Sequence, residues 1–375
     1  MERIKNIEFL RVIGCIAIIL VHLFHTVLPK SLINIDIYNK LFNMTSNGAK
    51  AVDLFFILSG FFFAYKLNTH KTCWEFVKHK LIRLYPVLVF IMIIYFLFSL
   101  TSSIVFTYYD NILTLLCLNG LGLTYKHINA GHFWYVSAML WVLLFYYYLL
   151  KNYSKKNVNL FISLIILFSY TFILHANQGG IGGTWQTYYN ILNLGLLRAL
   201  GGIGIGYFIG EWYKTNIEKI NNWNSSTIQT ILLSGLEFMT LYFIINNLIL
   251  HKLKWFNQFI FIIAFTTIIM LFLVKKGIFS QILDNNICPN LAKYSYSLYM
   301  IHYPIFWYLR KTIWELHPEL IYAHPILNII LTLLLVITAG VLTYHFVEKP
   351  AVNYLTNKYY SSRGGGGKTL ATREF

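Results

Sequence analysis

Apolar stretches long enough to cross a lipid bilayer are the feature that most constrains this fold. A helix needs about 20 predominantly apolar residues to span the hydrocarbon core. Stretches of that size lie at roughly 7–28, 50–67, 85–107, 132–150, 158–174, 189–211, 226–249, 255–274, 291–309 and 324–347. Because backbone polar groups must be satisfied inside a membrane, the sequence predicts an all-α, polytopic bundle of about ten transmembrane helices.

The composition excludes two broad classes of function. Hydrophobic residues make up 57% of the chain and charged residues only 12%, whereas a soluble domain carries about 25% charged residues. A water-soluble enzyme is therefore excluded. The formal net charge of +16 is typical of nucleic-acid binders, but no basic stripe interleaved with aromatic residues lies in a soluble segment. We therefore predict no nucleic-acid partner.

The distribution of lysine and arginine predicts the orientation. An even number of spans puts both termini on one side, and the loops on the N-terminal side carry more basic residues than those opposite. The positive-inside rule then makes both termini cytoplasmic and indicates a multi-pass protein of the plasma membrane. Residues 1–355 form one membrane domain, and 356–375 are predicted to be a flexible tail, with linker or tag-like sequence from about 361.

The cysteines give no sign of a metal site. The four residues are scattered, and no pair has the spacing of zinc ligands. They are Cys15, Cys73, Cys117 and Cys288. We predict neither disulfides nor a bound metal.

Arg11 and His22 are ionisable residues in the first apolar stretch, where such residues are costly and usually functional. At about 100° per residue they lie on one helix face, separated by about 16 Å along the axis. Glu8 precedes Arg11 by one turn and is placed to pair with it. The structural alternative is a snorkelling arginine and a core histidine, and His25, one turn further, fits an interfacial position.

Asp53 lies in the second stretch at a depth close to that of His22. A carboxylate that binds one ring nitrogen of a histidine fixes its tautomer and raises its basicity. We therefore predict that Asp53 orients His22, the alternative being an interfacial aspartate that faces water. Ser59 and Gly60 in the same helix permit close packing.

The most basic loop contains Lys80 and Arg83, one helical turn apart and followed by Pro86, which ends or kinks that turn. Arginine and lysine pairs suit phosphate groups, so these residues are candidates for an anion clamp. Inner-side topology alone also explains such charges.

Polar residues in later stretches complete the candidate site. Ser295, Tyr299 and His302 fall on one helix face, where they line either a polar cavity or a helix-packing contact. His132 and Ser137 lie at the outer start of the stretch at 132–150. Arg198 and Glu237 lie at mid-depth, and Glu237 has no obvious partner.

Six ordered motifs resemble those of the acyltransferase-3 family of integral-membrane acyltransferases. Arg11 followed by ten residues and His22 is similar to its first signature, and Lys80 stands where the family's basic motif has arginine. The motifs are Arg11-x10-His22, Val52-Asp53-x-Phe55-Phe56-x-x-Ser59-Gly60-Phe61, Lys80-x-x-Arg83-Leu84-x-Pro86, Arg198 with Phe208 and Gly210, Ser295-Tyr296-Ser297-Leu298-Tyr299-x-x-His302, and Phe346-Val347-Glu348-Lys349-Pro350.

The resemblance implies transfer of an acyl group, usually acetyl, from cytoplasmic acyl-CoA to a hydroxyl of a glycan or lipid-linked glycan. Acetyl-CoA is then the donor. Lys80 and Arg83 would hold its phosphates, Arg11 its inner part, and Arg198 or a hydroxyl from 291–309 would stabilise the oxyanion.

Acceptor chemistry in this interpretation centres on His22. It acts either as a general base on the acceptor hydroxyl or as a nucleophile that is itself acylated. Acceptor contacts are predicted for His132, Ser137, Ser295, Tyr299 and His302. A transporter or flippase fits ten spans and intramembrane charges equally well, but the internal repeat common in transporters is not visible.

Overall fold

The computed structural model describes residues 4–28, 36–67, 72–102, 107–123, 131–182, 187–188, 192–250 and 258–361, which are almost entirely helical. The helices are α1 (Lys5–Val21), α2 (Asp36–Thr45), α3 (Ala51–Tyr65), α4 (Cys73–Thr101), α5 (Tyr108–Leu115), α6 (Trp134–Asn152), α7 (Lys155–Ala176), α8 (Leu194–Asn222), α9 (Thr227–Ile245), α10 (Ile260–Val274), α11 (Ile278–Ile282), α12 (Ile287–Ala292), α13 (Ser295–Leu309), α14 (Pro318–Ala323), α15 (Pro325–Thr343) and α16 (Lys349–Ser361). Two short antiparallel strands, β1 (Thr187–Tyr188) and β2 (Leu192–Asn193), pair before α8.

The predicted all-α polytopic bundle is confirmed. Within the described ranges, eight helices are long and apolar enough to cross a membrane, and they cover eight of the ten predicted stretches. The stretches at 255–274 and 291–309 form shorter helices, α10 and α13. Helix α13 is continued by the π-helical turn Arg310–Trp314.

Both ends of the described chain reach the same end of the bundle. The carboxylate of Glu348, just before α16, lies within electrostatic range of Arg11 in α1, in agreement with the predicted even topology. Helix α16 extends to Ser361, past residue 356, where a flexible tail is predicted to begin. The glycine-rich segment after residue 361 lies outside the described residues.

Helices α3 and α8 pack backbone against backbone. A Cβ atom added at Gly206 would lie 1.9 Å from the Ile57 carbonyl oxygen, and one at Gly60 would lie 2.1 Å from the Ile203 carbonyl oxygen. The glycines of α8 recur every fourth residue, so they form one smooth stripe along the helix. This stripe fixes the rotation of α3 and therefore the direction in which Asp53 points.

Glu237, left without a partner in the sequence, caps a short helix. Its Oε2 atom accepts hydrogen bonds from the backbone N–H groups of Phe279 (2.9 Å) and Ser280 (3.2 Å) at the start of α11. A carboxylate at a helix N-terminus satisfies donors that have no partner within the helix. Glu237 therefore has a structural role.

Candidate active site

The pairing of Arg11 with Glu8 on α1 is confirmed. Arg11 donates a hydrogen bond to the Glu8 carboxylate over 2.8 Å, and the exposed side-chain fractions are 18% and 4%. Since one carboxylate compensates the guanidinium, Arg11 keeps little excess positive charge. Helix α1 ends one residue before His22, which begins the π-helical turn His22–Val27. Such turns are frequent at functional sites.

His22 and His302 form a hydrogen-bonded pair of imidazoles. The Nδ1 atom of His22 lies 2.8 Å from Nε2 of His302, and the two rings are nearly coplanar, at 9°. The Nδ1 atom of His302 lies 3.1 Å from the Leu298 carbonyl oxygen. A carbonyl can only accept, so Nδ1 of His302 carries the hydrogen, and in the neutral ring Nε2 is then the acceptor.

The tautomer of His22 follows from this chain of hydrogen bonds. Because Nε2 of His302 accepts, Nδ1 of His22 donates, and the lone pair of neutral His22 is on Nε2. Among the described residues, Nε2 of His22 has no hydrogen-bond partner. The site therefore presents one basic nitrogen, Nε2 of His22, and the hydrogen bond between Nδ1 of the same ring and His302 fixes its orientation.

His132 is the third imidazole of this cluster. Its ring centroid lies 5.4 Å from that of His302, and its side chain is buried. Nε2 of His132 lies 3.2 Å from the Met300 carbonyl oxygen, so it carries the hydrogen. The Tyr299 hydroxyl donates to the backbone carbonyl of His132. Tyr299 thus holds the start of α6 in place, and its own donor is already engaged.

The prediction that Asp53 orients His22 is not what the structure shows. Asp53 accepts hydrogen bonds from Arg198 at both carboxylate oxygens, over 3.2 and 2.8 Å. Both side chains are almost completely buried, at 0% and 1% exposure. Asp53 and His22 have similar depths along their helices, but the glycine packing of α3 and α8 turns Asp53 toward Arg198. His22 takes His302 as its partner.

The same ion pair changes the interpretation of Arg198. Its guanidinium also donates to the Ala49 carbonyl oxygen over 3.2 Å and lies 5.6 Å from the centre of the Trp134 ring. Because Asp53, the Ala49 carbonyl and the Trp134 ring all contact this guanidinium, it is poorly placed to bind an acyl donor or an oxyanion. The structure therefore supports a role for Arg198 in joining helices.

Lys80 and Arg83 are placed differently from the other two candidate cations. They lie within α4, which continues through Pro86 to Thr101, so the segment is not a loop and Pro86 does not end it. Within the described chain, neither Lys80 nor Arg83 has a carboxylate within ion-pair distance. Arg83 lies within electrostatic range of Arg11 and Glu348. Both basic side chains are partly exposed and remain available to an anion.

Ser137 and Ser295 do not converge on the imidazoles. The hydroxyl of Ser137 donates to the Cys117 carbonyl and accepts from the Gly120 backbone N–H over 3.0 Å. The main-chain carbonyl of Ser295 faces Cys15, whose sulfur is 3.6 Å away. Ser137 thus closes a turn against α6, which is a correction of its predicted contact with the acceptor.

Other polar residues of the site were missed from the sequence. Ser297, next to the predicted hydroxyl stripe, donates to Glu348 over 2.5 Å. Tyr303 lies between the imidazoles, with its ring centroid 5.2 Å from that of His22 and 4.9 Å from that of His132. The chain has 28 tyrosines, so a single tyrosine in the sequence does not indicate a site residue. The position of Tyr303 directly after His302 was the one feature of the sequence that pointed to it.

His25, for which an interfacial position was considered, contacts helix α2. Its Nε2 atom lies 2.6 Å from the Phe42 carbonyl oxygen, and its ring stacks on the Phe42 ring. Over the described ranges, no group of three histidine, cysteine or acidic side chains is arranged to hold a metal ion.

Comparison with known proteins gives one family and one set of curated relatives. The family model described as "Acyltransferase domain", that of the acyltransferase-3 family, matches residues 4–345. O-acetyltransferase OatA from Staphylococcus aureus strains NCTC 8325 / PS 47, COL and MRSA252 is 24% identical over 352 residues, with 85% of this chain covered. The chain spans about half the length of these relatives, 55%. No solved structure matches the chain.

Proposed function

Because the chain belongs to the acyltransferase-3 family, we propose that it is a multi-pass O-acetyltransferase of the plasma membrane. It moves an acetyl group from cytoplasmic acetyl-CoA to a hydroxyl of a cell-surface glycan or of its lipid-linked precursor. The relatives named O-acetyltransferase OatA support acetyl as the transferred group. The observation that carries the chemistry is the oriented Nε2 atom of His22, behind which His302 accepts the Nδ1 hydrogen.

Donor recognition falls to the two cations that have no carboxylate within ion-pair distance among the described residues. CoA carries several phosphate charges, and its long arm must bring the thioester to the imidazole. Lys80 and Arg83 on α4 hold the phosphates as charge-assisted hydrogen-bond donors. Arg11, whose charge Glu8 compensates, lies along the arm about 16 Å from His22 at 1.5 Å per residue.

Acyl transfer then uses the lone pair of His22. Nε2 takes the proton from the acceptor hydroxyl as its oxygen attacks the thioester carbonyl carbon. The carbon–sulfur bond breaks, and the proton leaves His22 with the departing thiolate. His302 stabilises the transient imidazolium by accepting from Nδ1, which is the task that an aspartate performs in hydrolase triads.

The same nitrogen serves the covalent alternative. In that route Nε2 of His22 attacks the thioester carbon, the carbon–sulfur bond breaks, and CoA leaves as the thiolate. The acceptor oxygen then attacks the acetyl carbon and displaces the imidazole, and the proton of the acceptor hydroxyl neutralises the thiolate. A rapid acid-free quench after adding [14C]acetyl-CoA without acceptor distinguishes the routes. Label on a peptide that contains His22 indicates the covalent route, and its absence during active transfer indicates general-base catalysis.

The proposal is tested with protein in nanodiscs, [14C]acetyl-CoA and cell-wall glycan from a bacterial host. We expect labelled glycan with the native chain and about a thousandfold lower rate with His22→Ala, as for the loss of a general base. Replacement of the exposed His175 of α7 by alanine is the matched control. Normal transfer by folded His22→Ala protein would remove His22 from the mechanism.

A further inference from the structure

Tyr296 lies in the motif Ser295-Tyr296-Ser297-Leu298-Tyr299-x-x-His302 and has no part in the proposed reaction. Its hydroxyl donates a hydrogen bond to the Leu84 carbonyl oxygen over 2.7 Å. Leu84 directly follows Arg83 in the chain, and consecutive Cα atoms are only about 3.8 Å apart. The bond therefore joins α13 to the main chain of the turn that carries Arg83.

Pro86 leaves this part of α4 with one main-chain hydrogen bond fewer. Proline has no backbone N–H, so position 86 cannot donate to the Ile82 carbonyl, and the proline ring also crowds that carbonyl. Pro86 lies inside α4, and Ile82, Arg83 and Leu84 are consecutive residues. The hydrogen bond from Tyr296 thus supports the main chain where the helix lacks one of its own bonds.

The two cations that bind the donor differ in what holds them. The Lys80 ammonium lies over the Phe76 ring, 5.6 Å from its centre, and Phe76 stacks on Tyr147 at a centroid distance of 5.0 Å. Arg83 has no carboxylate within ion-pair distance in the part of the chain that the structure describes. The position of its guanidinium therefore depends more on the main chain that carries it.

Helix α13 is well placed to support this turn. The Ser297 hydroxyl, next to Tyr296, donates to the buried Glu348 carboxylate over 2.5 Å, so this end of α13 has a second hydrogen bond to another helix. The same helix carries His302, which holds His22 and lies six residues further, or about 9 Å along the axis. One helix thus contacts both the donor-binding turn and the imidazole that carries out transfer.

We propose that Tyr296 is a positioning residue for the donor: its hydrogen bond to Leu84 holds the Arg83 guanidinium where a CoA phosphate binds. The inference rests on the proposed function, in which Arg83 binds donor phosphates, and it adds a residue that does not itself touch the donor. Without the hydroxyl, the turn before Pro86 becomes more mobile and the guanidinium spends less time in the binding position. Phosphate binding weakens, whereas the transfer step does not change.

The test compares two acetyl donors, acetyl-CoA and S-acetylpantetheine, which lacks the phosphates. Protein in nanodiscs transfers acetyl from each donor to cell-wall glycan, and kcat and KM are measured. Tyr296→Phe removes only the hydroxyl. Tyr146→Phe is the matched control, because the Tyr146 hydroxyl also donates to a main-chain carbonyl of a neighbouring helix, that of Leu200 in α8, over 2.8 Å.

Tyr296→Phe should raise KM for acetyl-CoA about fivefold, as for the loss of one hydrogen bond, with little change in kcat. Its kcat and KM for S-acetylpantetheine should equal those of the native chain, which also shows that the variant is folded. Tyr146→Phe should leave both KM values unchanged. An unchanged acetyl-CoA KM in folded Tyr296→Phe protein, or an equal rise for the two donors, would overturn the positioning role.

A double variant shows whether Tyr296 acts through Arg83. In Arg83→Ala protein the Tyr296 hydroxyl has no guanidinium to position, so adding Tyr296→Phe should leave KM for acetyl-CoA where Arg83→Ala alone puts it. A further rise of about fivefold in the double variant would mean that the hydroxyl affects the donor by another route, and the proposal would be wrong.

Direct binding of CoA separates failure of this inference from failure of the proposed function. The Kd of radiolabelled CoA, measured without acceptor, should rise about fivefold in Tyr296→Phe. If it does so while the native chain transfers no acetyl to glycan, the positioning role stands and the proposed function is wrong. If the native chain transfers acetyl but binds CoA no more tightly than the variant, the proposed function stands and the positioning role is wrong.

Discussion

Two polar groups inside this bundle differ in how completely their hydrogen bonds are formed. In the Asp53–Arg198 pair, both carboxylate oxygens accept from the guanidinium, which also bonds to a main-chain carbonyl. In the imidazole cluster, Nε2 of His22 and Nδ1 of His132 have no partner within the described chain. The first group is complete without a substrate, and the second is not.

In an apolar environment, this difference distinguishes polar groups with a structural role from polar groups that are available for chemistry. An unsatisfied polar group in hydrocarbon costs several kcal/mol, roughly, so most are paired inside the protein. In the imidazole cluster, the ring nitrogens without a partner among the described residues remain available to a ligand. The four candidate cations divide in the same way: Arg11 and Arg198 form ion pairs with carboxylates, whereas Lys80 and Arg83 have no carboxylate within ion-pair distance among the described residues.

The largest effect on catalysis should come from removing the imidazole behind His22. In His302→Phe, Nδ1 of His22 loses its acceptor, and neither the tautomer nor the imidazolium is stabilised. We expect kcat to fall about 10²- to 10⁴-fold, as for the loss of a residue that orients a catalytic histidine. The rate is measured with [14C]acetyl-CoA in nanodiscs.

A conservative replacement shows whether His302 acts by positioning. The amide of His302→Gln places an acceptor close to the former Nε2 atom, so part of the rate should return. Size-exclusion chromatography establishes that each variant is folded. If Phe and Gln at this position give equal rates, the His22–His302 hydrogen bond has no catalytic role.

Breaking the complete pair should affect stability before catalysis. Asp53→Leu leaves the Arg198 guanidinium buried without its carboxylate, which costs about 3–5 kcal/mol in the free energy of unfolding. The protein that does fold should keep the donor KM of the native chain. Thermal unfolding in detergent and the yield of monodisperse protein measure the loss.

The double variant Asp53→Leu with Arg198→Met tests this interpretation. Since apolar side chains often replace a buried ion pair without loss of stability, we expect thermal stability to return close to the native value along with transfer activity. A stable but inactive double variant would show that the ion pair takes part in acetyl transfer.

The sequence predicted the helices well, and it placed some polar residues at the right depth, but Arg198, predicted at mid-depth, lies near the start of α8 and pairs with Asp53. Helical periodicity placed Glu8 beside Arg11 and put both Arg11 and His22 on one face of α1; the hydrogen bond between His22 and His302 was not predicted. These predictions depend only on distances along helices, which a rise of about 1.5 Å per residue fixes.

Rotation of one helix about its axis could not be predicted in the same way. Asp53 has the right depth to meet His22, but its direction depends on how α3 packs against α8. The repeated glycines Gly202, Gly206 and Gly210 were visible in the sequence, and their spacing is typical of close helix contacts. Recognising α3 as their partner required the structure.

The cations without carboxylate partners should affect donor binding. In Arg83→Ala, one charge-assisted contact to the phosphates is lost, so KM for acetyl-CoA should rise about tenfold with little change in kcat. The native KM should increase with salt more steeply than that of the variant, because screening weakens charge contacts.

Lys151→Ala is the control for this effect, because it removes the same charge from the end of α6, where its ammonium lies over the Tyr147 ring. If Lys151→Ala and Arg83→Ala raise KM equally, the effect reflects net charge rather than a phosphate site. Lys80→Ala should behave as Arg83→Ala does.

The smallest effect is expected at Ser137, whose hydroxyl is fully used by main-chain groups. Ser137→Ala removes the bonds to Cys117 and Gly120, and should lower the free energy of unfolding by about 1 kcal/mol. Acceptor KM should stay unchanged, because the hydroxyl is directed at a turn. A rise in acceptor KM without any loss of stability would show that Ser137 contacts the acceptor. It would also show that a polar group with its hydrogen bonds formed inside the protein can still bind substrate.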